Sequence, residues 1–324
     1  MMEHVSRKRF MLFTGSANPE LAQDVAEELG VPLGRVELSR FANTEVYARP
    51  LESVRGVDCF VIQSHAPEIN FHIMEQLILI EALRRASAHR ITAVVPFFGY
   101  ARADKKVLPR EPISARLISD LFLAAGADRI VSIDLHTGQI QGFFPKPLDH
   151  LTALPIVSEY LKNRLDGPTT IVSPDAGGVK RAEKYARYLD AFVAFVHKRR
   201  ATDVRNRSEA LTVVGAVRGR NAVIVDDMID TGGTVVNAAR LLRQKGVRSL
   251  LVAATHPLLS EPALDRLKNA PIDEVVVTDT LPISQDAKDF DKLTRLSIAP
   301  VLAEALIAIF MDSSVSAIFL GDNN

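Results

Sequence analysis

At 324 residues the chain is longer than a usual single domain, and two domains are the expectation. An apolar share of 47% with 24% charged residues is ordinary for a soluble globular enzyme. The 39 basic and 39 acidic residues cancel, so no global field argues for nucleic acid or an anionic membrane as partner, and any anion site has to be local.

Cysteine usage narrows the setting. The single cysteine, Cys59, excludes an intramolecular disulfide and lies in the apolar stretch VDCFVIQ, where a buried small hydrophobe is the ordinary reading. The N-terminal MMEHVSRKRFMLF is basic but lacks the apolar run and small-residue cleavage site of a signal peptide. No stretch approaches the roughly 18 consecutive apolar residues of a membrane span. A reducing cytoplasm fits all three observations.

Apolar runs of strand length alternate with helical patterns along the whole chain, which predicts α/β architecture with mostly parallel sheets. Phe10–Thr14 reads as the first strand, and a helix starts near Asn18-Pro19, with Asn18 as cap and Pro19 in the first turn. Val57–Gln63 is a strand and Ile69–Ser87 a long helix. Ile91–Val95 leads into a loop around Gly99, followed by helix Ile113–Ala125 and strand Arg129–Asp134. Thr152–Leu165 is helical, with the strand Thr169–Ser173 behind it. A second cycle begins with helix Val179–Leu189, strand Phe192–His197, a polar segment and strand Ala222–Val225. Ser249–Thr255 and Asp273–Thr278 are later strands, and Val301–Phe310 is a closing helix. The turn Pro145-Lys146-Pro147 marks the boundary, giving domains 1–150 and 151–324.

Several strand ends carry polar clusters. Phe41, in Ser39-Arg40-Phe41-Ala42-Asn43-Thr44-Glu45, could stack on a base while Asn43 and Glu45 bond to it; alone, a loop Phe more often packs on the core. The stretch Phe97–Lys106 crowds Arg102, Lys105 and Lys106 at a strand end, where α/β proteins bind anions, although such runs are often solvated faces. His136 follows a strand one residue beyond an aspartate and its immediate neighbour Leu135. A lone histidine is more often structural than a metal ligand, but the polar cluster after this one raises the odds of a functional role. Asp175, in Ser173-Pro174-Asp175-Ala176-Gly177-Gly178, offers the carboxylate oxygen a magnesium ion prefers.

From Lys198 to Glu209 there are five basic and two acidic residues and almost nothing apolar. That pattern suits a lid whose Lys198 and Arg200 neutralise charge on a transferring phosphoryl group; a solvated hairpin tip is the plainer reading, strongest for Arg205 and Arg207. The stretch Ala222–Arg240 is the most specific of all. A β-branched run leads to Asp226 and Asp227, then to Asp230-Thr231-Gly232-Gly233-Thr234 and a helix. Backbone amides of such a glycine turn close on a phosphate at the positive end of the helix. The acidic pair can accept hydrogen bonds from sugar hydroxyls or hold a magnesium ion through water. No Walker A sequence occurs, so a nucleotide has to bind in some other way.

DDMIDTGGT resembles the phosphoribosyl-diphosphate loop shared by type I phosphoribosyltransferases and ribose-phosphate diphosphokinases. FANTE, GYARADKK, DLHTGQIQGFF and SPDAGGVKRA, in that order, extend the resemblance to the diphosphokinase family over essentially the whole chain. The resemblance implies two similar domains of type I phosphoribosyltransferase-like fold, each with a mostly parallel central sheet flanked by helices. It implies transfer of a diphosphoryl group from MgATP to ribose 5-phosphate, giving 5-phosphoribosyl 1-diphosphate (PRPP) and AMP. On these motifs Phe41, Asn43, Thr44, Glu45, Arg102, Ala103 and His136 fall on the ATP site, and His136 and Asp175 match a magnesium-associated pair. Lys198 and Arg200 match the basic catalytic lid. Arg200, Asp226, Asp227, Asp230, Thr231, Gly232, Gly233 and Thr234 fall on the ribose-5-phosphate site. The family's common form implies a homo-oligomer, a hexamer, regulated by phosphate and ADP.

The chain departs from the usual pattern in places. Ala103 stands where many relatives have glutamine, Asn43-Thr44 replaces the commoner Asp-Gly, and both the lid and VLPRE (107–111) differ from common versions. A phosphoribosyltransferase would need neither FANTE nor the lid. A catalytically silent regulatory homologue would have lost lid or metal residues, and Lys198, Arg200, His136, Asp175 and Asp226 are all present.

Overall fold

Parallel strands formed from short apolar runs organise both parts of the chain. The computed structural model of the protein describes residues 8–200 and 209–316, apart from the side chains of residues 198–200, 209 and 210. These residues divide into two units. One comprises residues up to Thr152, Thr280–Pro282 and those from Ser297 on; the other comprises Ala153–Asp279 and Ile283–Leu296.

The first unit starts with β1 (Phe10–Thr14), α1 (Pro19–Leu29), β2 (Val36–Arg40), β3 (Val46–Pro50) and β4 (Asp58–Ile62). It continues through α2 (Ile69–Arg85), β5 (Arg90–Val95), α3 (Ser114–Ala125), β6 (Arg129–Ile133), a 3-10 turn at Gly138–Phe143 and β7 (Leu148–Leu151). Five strands pair in parallel in the order β1-β4-β5-β6-β7, and β2 with β3 forms a separate antiparallel hairpin. Every residue of β4 is buried, as expected of a parallel strand covered on both faces. Cys59 and Val61 pack on one face with Phe13, Ile80, Leu83 and Phe122. Asn18 caps α1 by accepting from the Leu21 N–H, Pro19 opens the helix, and Gly30 closes it at φ 65°.

The second unit contains α4 (Leu154–Arg164), β8 (Thr169–Ser173), α5 (Val179–Leu189), β9 (Phe192–Arg200), β10 (Glu209–Val214) and β11 (Asn221–Ile229). After these come α6 (Gly233–Gln244), β12 (Ser249–Pro257), α7 (Ala263–Lys268), β13 (Glu274–Thr278), α8 (Gln285–Lys288) and β14 (Leu293–Leu296). The sheet runs β10-β9-β8-β11-β12-β13-β14, parallel except where β10 returns against β9. The chain moves outward from β8 to β9, then crosses back to place β11 on the other side of β8. That reversal is the topological switch point at which open α/β sheets leave a crevice beyond their strand ends.

The closing helix α9 (Ala299–Phe310) packs in the first unit, against α1. The reason is the second face of the five-stranded sheet. Phe10 stacks on Phe60 at 4.6 Å between ring centres, and Phe310 meets Phe10 edge-on at 5.5 Å. Below them, buried Asp58 accepts from Arg90 (Nε, 3.0 Å) and from His89 (Nδ1, 2.7 Å). Arg90 Nη1 reaches Asp312 at 2.7 Å, and Lys8 pairs with Asp312 as well. Burial alone would push the Asp58 carboxyl up, but the bonds from Arg90 and His89 hold it below its usual range.

β1, β8 and α5 occupy the residues the periodicity predicts. Three strands run further than expected, among them β12, which reaches Pro257. β9 continues to Arg200 because its end pairs with β10, and β11 continues past the acidic pair to Ile229. Met228 and Ile229 find partners in His256 and Pro257 of β12, so Asp226 and Asp227 lie inside the strand rather than at its end. Among the described residues no helix is long and apolar enough to cross a membrane.

Candidate active site

In the second unit the switch point gathers two of the predicted stretches. The last parallel pair between β8 and β11 is Val172 with Ile224, so Asp226 stands two residues beyond it, level with the loop that carries Asp175. Asp175 is exposed, and its Oδ1 accepts from the amides of Gly177 (2.8 Å) and Gly178 (3.1 Å) at the start of α5. From the first turn of α5, Arg181 reaches Asp226 Oδ1 with Nη1 at 2.8 Å and Asp227 Oδ1 with Nη2 at 3.1 Å. Burial, then the neighbouring Asp227 carboxyl, pushes the Asp226 carboxyl up to about 7, against the pull of Arg181.

The turn from β11 into α6 is built for an anion. Gly232 takes φ 72°, where a side chain would be strained, and sits at the helix cap with no side-chain oxygen to satisfy the first amides. Arg266 Nη1 fixes the turn from outside by donating to the Thr231 carbonyl at 2.8 Å. Next to it lies a cavity of about 530 Å³ lined by Pro174, Val196, Leu211, Thr231, Gly233, Thr234, Asn237 and Ala238. A twelve-residue helix whose cap makes no side-chain hydrogen bond, with Gly233 and Thr234 lining that cavity, favours negative charge there.

The first unit holds the other stretches. Phe41, Asn43, Thr44 and Glu45 form the exposed tip between β2 and β3. Phe41 and Thr44 close the turn by backbone bonds, Asn43 Oδ1 accepts from the Glu45 amide at 3.2 Å, and Thr44 takes φ 73° in place of the more usual glycine. The tip borders a largely apolar cavity of about 720 Å³, also lined by Arg40, Asn70, Phe71 and Met74. The Arg40 guanidinium lies over the Phe71 ring at 3.6 Å.

Two sets of polar contacts lie between that cavity and the remaining residues. Asn70 Oδ1 accepts from the Tyr100 hydroxyl, in the loop that carries exposed Arg102 and half-buried Ala103. Two residues past Arg102, buried Asp104 accepts from the Thr137 hydroxyl at 2.6 Å and from the Gln139 amide. His136, half-buried, directly precedes Thr137. Behind the loop, His65 Nδ1 accepts from the Gly99 N–H at 2.8 Å, while Nε2 faces Gln76 Oε1 at 3.3 Å. Burial pushes the His65 imidazole down to about 3, so it is neutral in the folded protein.

Lys198 and Arg200 lie on β9, but their side chains, and the lid residues 201–208, are outside the described part of the chain. Among the described residues no group of three or more His, Cys, Asp or Glu side chains converges to hold a metal ion by itself. The sequence pointed to neither Arg181 nor Asp104 nor His65. Asp104 was hidden beside two lysines, and the acceptor of Arg181 lies in a different strand of the sheet. An acidic residue inside a basic run at a strand end was the one available signal.

Residues 10–126 match the family model described as the N-terminal domain of ribose phosphate pyrophosphokinase, and residues 200–320 match the phosphoribosyl synthetase-associated domain. A ribose-phosphate pyrophosphokinase of Streptomyces avermitilis is 55% identical over 96% of both chains. One of Corynebacterium efficiens is 53% identical over 98% of both. The crystal structure of phosphoribosylpyrophosphate synthetase from Mycobacterium smegmatis superposes with a TM-score of 0.90 at 51% identity, covering 94% of this chain and 100% of that one.

Proposed function

The chain belongs to the ribose-phosphate pyrophosphokinase family, and from that premise we infer that it transfers the β,γ-diphosphoryl group of MgATP to the 1-hydroxyl of ribose 5-phosphate. The products are 5-phosphoribosyl 1-diphosphate and AMP. The observation that carries this reading is identity of 55% along 96% of both chains, which includes the nucleotide-side stretches as well as the ribose loop. A phosphoribosyltransferase would account only for the latter.

In the reaction, the ribose 1-hydroxyl oxygen bonds to the β-phosphorus of ATP. The bond from that phosphorus to the bridging oxygen of the α-phosphate breaks, AMP leaves with that oxygen, and the hydroxyl proton is released. We assign the nucleotide to the first unit. Phe41 stacks on the base, Asn43, Thr44 and Glu45 hydrogen-bond around it, and Arg102 with its neighbour Ala103 and His136 meets the phosphate end. The second unit takes the acceptor. The amides of Thr231, Gly232, Gly233 and Thr234, with Asp230 at the turn, hold the 5-phosphate. Asp226, backed by Asp227, accepts from the ribose hydroxyls, and Arg200 steadies the sugar phosphate. Lys198 and Arg200 neutralise charge that grows on the transferring group.

Magnesium fits the donor set in a particular way. Exposed Asp175 offers oxygen, whereas the imidazole of His136 is a poor direct ligand for a hard cation and suits contact through water. With Asp175 as the oxygen donor, a magnesium ion would be held jointly with water and would offset charge on the nucleotide phosphates. The family resemblance also supports a homo-oligomer of hexameric form with phosphate and ADP as regulators, and the buried Cys59 accords with work in a reducing cytoplasm.

The test is AMP release from purified protein with MgATP and ribose 5-phosphate, with and without inorganic phosphate. AMP with equimolar 5-phosphoribosyl 1-diphosphate is expected. No AMP above background at any phosphate or magnesium concentration would reduce the chain to a silent homologue.

A further inference from the structure

Helix α5 begins directly after the Asp175 loop, and its third residue is aimed across the sheet at the adjacent strand. Arg181 puts one guanidinium nitrogen on Asp226 (2.8 Å) and the other on Asp227 (3.1 Å). Consecutive residues of a strand ordinarily face opposite ways. A single group that touches both carboxylates therefore requires the two side chains to converge on it. Asp227 is only 3% exposed, so its charge needs partners inside the protein.

We infer that Arg181 is a positioning residue of the ribose side: by bridging Asp226 and Asp227 it holds the Asp226 carboxyl oriented toward the ribose hydroxyls. This rests on the assignment of Asp226 to ribose 5-phosphate made above. Guanidinium geometry is what the task demands. Its planar fork spans two carboxylates at once, whereas a lysine ammonium is a single point charge. The bridge also opposes the effect of burying two like charges side by side, which favours protonation of Asp226. Because β8 and β11 are direct neighbours, the same residue ties the loop of Asp175 to the acidic pair within one unit.

The experiment compares R181Q, R181K and D226N with the unaltered full-length protein. It measures steady-state constants for both substrates, together with calorimetric binding of ribose 5-phosphate alone. R181Q is expected to raise the KM and the calorimetric Kd for ribose 5-phosphate by roughly 10- to 100-fold, the cost of misplacing a binding group. The KM for ATP should stay within about twofold, since a substrate-specific loss of ground-state binding leaves the other substrate untouched. R181K should fall between R181Q and the unaltered protein. Unchanged ribose 5-phosphate binding in R181Q, or an equal rise in both KM values, overturns the inference. Should R181Q fail to fold, R181K decides alone: a raised ribose 5-phosphate KM upholds the inference and an unchanged one overturns it. D226N separates the two levels of the argument. If D226N binds ribose 5-phosphate normally, the assignment of Asp226 fails and takes this inference with it. If D226N loses binding while R181Q keeps it, only the role of Arg181 fails.

Discussion

The carboxylate of Asp104 accepts a hydrogen bond from the hydroxyl of Thr137 at 2.6 Å, so one buried group joins the loop after β5 to the loop after β6. Gln139 donates to the same oxygen. Arg102 lies two residues from one end of that bond and His136 one residue from the other. Asp104→Ala leaves two donors without this acceptor and should cost about 2–3 kcal/mol. The KM for ATP should rise several-fold, with ribose 5-phosphate binding unaffected. Urea unfolding and steady-state kinetics check both; an unaltered KM for ATP would show that the link is structural only.

His65 predicts acid sensitivity. Its folded pKa is depressed to about 3, whereas an unfolded histidine titrates near 6.5. Between those values the unfolded chain binds the extra proton, so this contribution is fully present above about pH 6.5 and is lost as pH falls towards 3. The slope for one such group is up to about 1.4 kcal/mol per pH unit. His65→Gln should remove that slope, while costing roughly 2–4 kcal/mol at neutral pH from the altered packing and the lost acceptor for Gly99. Urea titrations at pH 7.5 and 5.5 measure both effects, and an identical pH slope in the variant would sink the prediction.

Asp226 carries the opposite sign. Its pKa is raised to about 7, so the folded protein holds a proton that the unfolded chain releases near 4. Stability from this group is present at low pH and is lost as pH rises through about 7. Asp226→Asn should therefore stabilise the protein at pH 8 by about 1–2 kcal/mol, roughly 2–8 °C in Tm, while abolishing tight ribose 5-phosphate binding. A variant that loses both stability and binding would mean the acidic pair is a structural necessity.

For the proposed catalytic role of Lys198, Lys198→Ala is the decisive variant. The backbone of Lys198, on β9, pairs with that of Leu211 on β10. If the residue acts on the transition state, kcat should fall by about 10²–10³ with ribose 5-phosphate affinity nearly unchanged. Equal losses in binding and turnover would make Lys198 a substrate anchor instead.

What was legible in the sequence depended on range. α5, β1 and β8 are legible residue for residue because their patterns are local: two apolar-rich strands and one amphipathic helix, bounded by turn signals. The glycine turn before α6 was legible for the same reason. The extra length of β11 was not, because it depends on pairing with β12, more than twenty residues later in the chain. The loop at Ser39–Glu45 reads as a strand connection, but its flanking strands β2 and β3 were not legible, since the tip carries Thr44 at φ 73° and none of the usual Asn-Gly signature. Arg181 looked like one more surface charge on a helix until the fold brought Asp226 to it.

The placement of α9 bears on how the protein is made. Phe10 and Phe60 belong to β1 and β4, yet Phe310, which meets Phe10 edge-on, is translated about 250 residues after Phe60. At ordinary elongation speeds the first unit's residues wait roughly 10–30 s on the ribosome with that face open. Until Phe310 arrives, that face of the early strands is open apolar surface of the kind chaperones bind. A fragment ending at Thr152 should bind a hydrophobic dye that a peptide spanning residues 297–316 displaces; a fragment that ignores both would show the sheet to be self-sufficient.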